Sequence, residues 1–304
     1  MPLSRRQLLA TFPLLAAAGT LPVPTETPVL SRRWEAGGVA LPMLGLGTWQ
    51  SFDVDQEGPP FAEAVHGMEA FLGGGGQVID TSPMYGRAEA TLGQALAAQP
   101  AAERAWLASK IWSRGAEAGA RQLTRTLELL RRPRIALMQI HNLLDAQVHL
   151  RTLERARDAG QVCAIGITHY SVGAHAELER WLARPAVAAL QVNYSMAEPQ
   201  AAARLLPAAH AAGKLVLINR PFAEGVMFDR ARGQPLPAVA RELGCDSAAQ
   251  LFLKWIAADP AVHVVLTGTR KAAHVRDNLA GLHGVLPDAG QRRAIERWWD
   301  ALPG

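Results

Sequence analysis

Short runs of Val, Ile, Leu and Ala recur along the chain from about residue 40 onward, each bounded by Gly, Pro, Asn or a charged side chain. Eight of them have the length and composition of strands: residues 43–47, 77–80, 105–110, 135–141, 163–168, 189–193, 215–219 and 263–267. Between them lie amphipathic segments with the spacing of a helix that buries one face. Residues 119–130 place Leu123, Leu127 and Leu130 along one side, and residues 150–159 form another such segment. Eight strands, each followed by a helix, is the count of a (β/α)8 TIM barrel of the α/β class, here a single domain over residues 31–304. A doubly wound sheet is the alternative architecture.

Residues 1–30 stand outside this pattern. Arg5 and Arg6 precede an apolar stretch that runs to Ala18, is interrupted by Pro13 and ends in small residues. A basic n-region, an h-region and an A-x-A cleavage site with an arginine pair read as a twin-arginine export signal, and residues 21–27, rich in Pro and Thr, as a linker. The alternative is a disordered or helical tail. The apolar run is far short of the roughly 20 residues that span a bilayer, so no membrane anchor is expected. The protein is then expected in the periplasm, or otherwise exported, with the twin-arginine machinery as a partner.

Composition narrows the function. Of 304 residues, 49% are hydrophobic, which is globular rather than disordered, and the net charge of +4 comes from basic residues scattered singly. Nucleic-acid binding would call for a basic stripe with interleaved aromatics, and none is present. Only four of the 31 basic residues are Lys, so a Lys closing a strand runs against the habit of this chain. Cys163 and Cys245 lie far apart without a partner pattern; Cys163 opens a strand and reads as a small core residue. No H-E-x-x-H or comparable spacing points to a metal.

Chemistry gathers at the ends of the strands. Asp80 closes the second run, Tyr85 follows in a Pro-containing turn, Lys110 closes the third run and His141 the fourth. In a barrel the carboxyl ends of the strands face one mouth, where such a cluster can react. A Rossmann dinucleotide fingerprint is absent: Gly45-Leu46-Gly47 runs on into Thr48-Trp49, and Gly73 to Gly76 precede a strand instead of following one.

With these residues the chain resembles the aldo-keto reductases over about residues 39–286. The motifs are L-G-L-G-T-W at 44–49, I-D-T-S-P-M-Y-G at 79–86, S-K-I-W at 109–112, M-Q-I-H-N at 138–142, I-G-I-T-H-Y at 165–170, Q-V-N-Y at 191–194 and T-G-T-R at 267–270. The resemblance implies a (β/α)8 barrel that binds NADPH without a Rossmann domain and reduces aldehydes and ketones. It also implies that Asp80, Tyr85, Lys110 and His141 form the catalytic tetrad. Elementary chemistry agrees: reducing a carbonyl builds negative charge on oxygen, which Tyr85 can meet with a proton. Lys110 would lower the phenol's pKa, Asp80 would keep Lys110 charged, and His141 would orient the carbonyl.

The resemblance implies cofactor contacts from Gly47, Thr48, Asp80 and Gln191, and from Thr168-His169 where many members carry Ser-Asn. After the seventh strand come Arg220 and Phe222; an aromatic often stacks on the nicotinamide ring there, a role open to Phe222. Gly268, Thr269 and Arg270 lead into a helix with Arg276 and Asn278; a helix N-terminus with a guanidinium nearby suits the 2′-phosphate. Asn278 matches an adenine contact, while His274 stands where many members carry Arg. Trp49, Phe52, Met84 and Trp112 are expected to line an apolar mouth for a small-molecule carbonyl substrate. Two rival functions remain: a non-catalytic NADP(H)-binding redox sensor of the same fold, and a carbohydrate-active barrel. The latter needs two facing carboxylates, and only Asp80 is well placed.

Overall fold

The computed structural model describes residues 28–303. The arginine pair, the apolar stretch and the linker of the expected export signal lie outside the described residues. Ten strands are present among them. The first two, β1 (Ser31–Trp34) and β2 (Val39–Pro42), form an antiparallel hairpin. The other eight close into a parallel barrel: β3 (Leu44–Gly47), β4 (Val78–Asp80), β5 (Trp106–Ile111), β6 (Ile135–His141), β7 (Val162–His169), β8 (Ala189–Asn193), β9 (Leu215–Asn219) and β10 (Val264–Gly268), with β10 pairing β3. These are the eight expected runs, each within a residue at either end. The expected helices appear at Ala116–Leu130 and Ala146–Asp158.

Alternation along each strand decides what fills the barrel. The lower layer, Val78, Ala108, Leu137, Ala164, Ala189, Leu215 and Val264, is a buried apolar cluster that also includes Trp34 and Leu41 of the hairpin. The hairpin therefore plugs the floor. Two residues further along the same strands come Asp80, Lys110, Gln139 and Gln191, so one file of side chains runs from an oily floor to a polar mouth. Gly166 makes room for this layer: a Cβ there would lie 3.0 Å from Gln139 Cγ and 3.1 Å from Leu137 Cδ1. The second and larger cluster packs the outer faces of the strands under the helices.

Arg32 fixes the hairpin to the barrel wall by donating to the carbonyls of Asp259, at 2.6 Å, Ala257, at 3.1 Å, and Val262. The expectation for Cys163 is corrected. It is exposed and lines a groove shared with Trp34, Trp106 and Lys214.

Candidate active site

The barrel mouth is organised by one carboxylate. Asp80 Oδ2 accepts from Lys110 Nζ at 2.5 Å, while Oδ1 accepts from Gln191 Nε2 at 2.8 Å and Gln139 Nε2 at 3.0 Å. The three groups that meet Asp80 come from β5, β6 and β8, and all are fully or almost fully buried. Lys110 Nζ also donates to the Thr81 carbonyl at 2.8 Å and sits 4.8 Å from the centroid of the Tyr85 ring. Tyr85 meets the His141 ring edge-on at 5.9 Å. Asp80, Tyr85, Lys110 and His141 are thus one connected cluster.

The turn that presents Tyr85 is set by local sequence. Ser82-Pro83-Met84-Tyr85 closes with Tyr85 N–H donating to the Ser82 carbonyl at 3.0 Å, Pro83 taking the turn position its fixed φ favours. Thr48 is buried beneath, its hydroxyl donating to the Asp80 carbonyl at 3.1 Å.

Electrostatics assign the protons. Burial works against a charge on Lys110, yet Asp80 and Tyr85 beside it carry its pKa above the ordinary lysine value, so it is an ammonium. Burial pushes the Tyr85 phenol above its ordinary value; Lys110 pulls the other way, as expected from sequence, but burial prevails. Burial, then Lys110 and His169, lower His141 to about 3, so its imidazole is neutral at physiological pH.

The remaining expected site residues divide. Gln191 is held at both ends of its amide: besides Nε2 donating to Asp80, its Oε1 accepts from Thr168 Oγ1 at 3.1 Å and Asn219 Nδ2 at 3.4 Å. His169 Nδ1 accepts from Ser171 N–H, and its ring stacks on exposed Tyr170 at 5.2 Å. Arg220 (φ 52°) is clasped between Glu224 at 2.7 Å and Glu198 at 3.3 Å. Arg270 donates to Glu63 at 2.6 Å and to the Ser51 carbonyl at 3.3 Å, which tethers it to helix Gly58–Gly73. Gly47 and Gly268 are register partners at the ends of β3 and β10. Thr269 Oγ1 lies 3.5 Å from His274 Nδ1; Arg276 is exposed and Asn278 buried on helix Ala272–Ala280. Trp49 and Trp112 are exposed and Met84 half-buried.

One expectation is corrected. Phe52 does not line the mouth: it is wholly buried in the outer core, because the loop after β3 turns inward with Phe52 N–H donating to the Thr48 carbonyl at 3.0 Å. Phe222 is half-buried, and its ring packs on Phe228 at 4.7 Å, which in turn contacts Phe252 of the outer layer. Sequence reasoning passed over Gln139 and Ser82, although both lie inside quoted motifs.

Similarity to known proteins bears on the family and the fold. The model of the Aldo/keto reductase family matches residues 43–296. A 6-dehydroglucose reductase of Novosphingobium aromaticivorans is 26% identical over 281 residues, covering 84% of this chain and 91% of its own. An uncharacterized oxidoreductase of Mycobacterium tuberculosis is 25% identical over 274 residues, covering 78% and 83% respectively. Among solved structures, an aldo-keto reductase from Klebsiella pneumoniae in complex with NADPH superposes with a TM-score of 0.74 at 23% identity, covering 90% of this chain and 96% of that one. At that identity the likeness establishes the fold.

Proposed function

Because the chain belongs to the aldo/keto reductase family, we propose that it is an NADPH-dependent oxidoreductase that reduces aldehydes or ketones to alcohols, with Tyr85 as general acid. The observation that carries this reading is the buried Asp80–Lys110 pair set against the Tyr85 ring, beside a neutral His141.

The residues at the mouth fit the dinucleotide. A Cβ added to Gly47 or Gly268 would meet nothing nearer than 3.8 Å, which leaves open space over the paired ends of β3 and β10. Asn219 Oδ1 and Thr81 Oγ1 are buried without a hydrogen-bond partner, so polar capacity at the mouth is unspent. Thr168, Gln191 and Asn219 are assigned to the carboxamide end, and Gly268, Thr269 and Arg270 to the phosphates at the start of helix Ala272–Ala280. When bound, the cofactor supplies a hydride to the carbonyl carbon. Tyr85 then delivers its proton to the carbonyl oxygen as negative charge grows there. Lys110 stabilises the resulting phenolate, Asp80 holds Lys110 in place, and His141 donates a hydrogen bond to the same oxygen.

The reading is tested by screening the mature chain against aldehydes, ketones, quinones and oxidised sugars while following NADPH absorbance. Oxidised sugars belong in the panel because one relative is a 6-dehydroglucose reductase. Tight NADPH binding with no turnover on any of them would favour the redox-sensor alternative.

Arg270→Ala is expected to weaken NADPH binding about 10–100-fold while leaving NADH nearly unchanged, since a charge-assisted contact contributes roughly 1.5–3 kcal/mol. Equal weakening of both cofactors in a fluorescence titration would show that Arg270 serves Glu63 and Ser51 alone.

Export through the twin-arginine pathway completes the proposal. That route carries folded proteins, so the barrel could leave with NADP(H) already bound and stabilised by it. Replacing both Arg5 and Arg6 with Lys conserves charge and is expected to leave a folded, active enzyme in the cytoplasm. If cell fractionation finds the double-Lys protein processed near Ala18 and exported, the assignment fails.

A further inference from the structure

We propose that Ser82 is a positioning residue that fixes His141 in the tautomer carrying its proton on Nε2. Ser82 is wholly buried at the start of the turn that presents Tyr85, and its Oγ lies 3.1 Å from His141 Nδ1. The same Oγ accepts the Met84 N–H at 3.2 Å, which fixes the side chain against its own turn. A hydroxyl has one proton to give, and His141 Nδ1 is the acceptor it meets among the described residues.

Two arrangements are possible at this contact. With Nδ1 unprotonated, Met84 N–H donates to Oγ, Oγ–H donates to Nδ1, and every group is satisfied. With Nδ1 protonated, both Met84 N–H and Nδ1–H point at Oγ, and the hydroxyl proton is stranded in a buried place, which folding penalises. The first arrangement therefore prevails, and it puts the imidazole proton on Nε2, the nitrogen that makes no hydrogen bond among the described residues. Which ring nitrogen carries the proton is set by the bond the other one makes. His141 is thereby held as a donor, which is what a carbonyl oxygen requires. This last step rests on the reductase reading; the tautomer itself does not.

The test uses the full chain labelled with 15N-histidine, with the His141 signals assigned by their loss in His141→Gln. Wild type and Ser82→Thr, which keeps a hydroxyl, are expected to show Nε2–H. Ser82→Ala is expected to show a mixture with Nδ1–H, and to lose about 10–100-fold in kcat with little change in NADPH affinity, the scale known for the hydrogen-bond partners that orient metal-ligating His. A wild-type imidazole protonated on Nδ1, or an unaltered Nε2–H signal in Ser82→Ala, overturns the proposal. Should Ser82→Ala fail to fold, the wild-type spectrum decides between the two arrangements. A wild type that reduces no carbonyl defeats the reductase reading, while the spectra still decide the role of Ser82.

Discussion

Tyr85→Phe is expected to lower kcat about 10²–10⁴-fold, the usual worth of a positioned general acid, while NADPH affinity stays nearly unchanged. The ring contacts survive the substitution: the edge-on meeting with His141 at 5.9 Å and the Lys110 ammonium 4.8 Å from the centroid need no hydroxyl. The loss therefore reports the proton alone. The pH profile is the companion measurement. His141 loses its proton at about 3 because of burial and the nearby Lys110, so it contributes no inflection between pH 5 and 8. Burial holds the Tyr85 phenol above its ordinary value of about 10, so the acid keeps its proton and stays neutral across that range. Turnover limited by this proton should be flat from pH 5 to 8 and fall only on the alkaline side. A variant retaining more than half of wild-type kcat would remove Tyr85 from the role.

The strands and the four clustered residues were legible because both signals are local. A short apolar run ending in Asp, Lys or His marks a strand terminus, and a parallel barrel gathers its termini at one face. Gln139 was not legible: its part depends on sitting opposite Lys110 in the β5–β6 register and one strand further from Asp80, whose carboxylate it reaches over β5. Ser82 likewise depends on a neighbour 59 positions away. Phe52 was misread because loop position was taken for exposure. The left-handed backbone at Gln50 (φ 57°) belongs to a tight turn that drives the following aromatic into the core. The floor hairpin escaped notice for another reason. Its strands are four residues each, and Ser31–Trp34 holds two Arg, one of which spends its charge on backbone carbonyls.

Lys110→Met should be damaging twice over, and the two injuries can be separated. Lys110 is fully buried, and its ammonium is the only cation within hydrogen-bond reach of Asp80 among the described residues. Removing it leaves a carboxylate in the barrel with two amide donors and no compensating charge, a loss that costs about 3–5 kcal/mol for buried pairs. Denaturant titration should show that drop. It should also remove the charge that stabilises a Tyr85 phenolate, so the phenol becomes a still weaker acid and kcat falls by about two decades or more. Adding Asp80→Asn to Lys110→Met deletes the orphaned charge while keeping a side chain that can still accept from Gln139 and Gln191. The double variant should therefore recover most of the lost stability and none of the lost turnover. Recovery of turnover along with stability would mean that Lys110 serves only to neutralise Asp80, and that Tyr85 works without it.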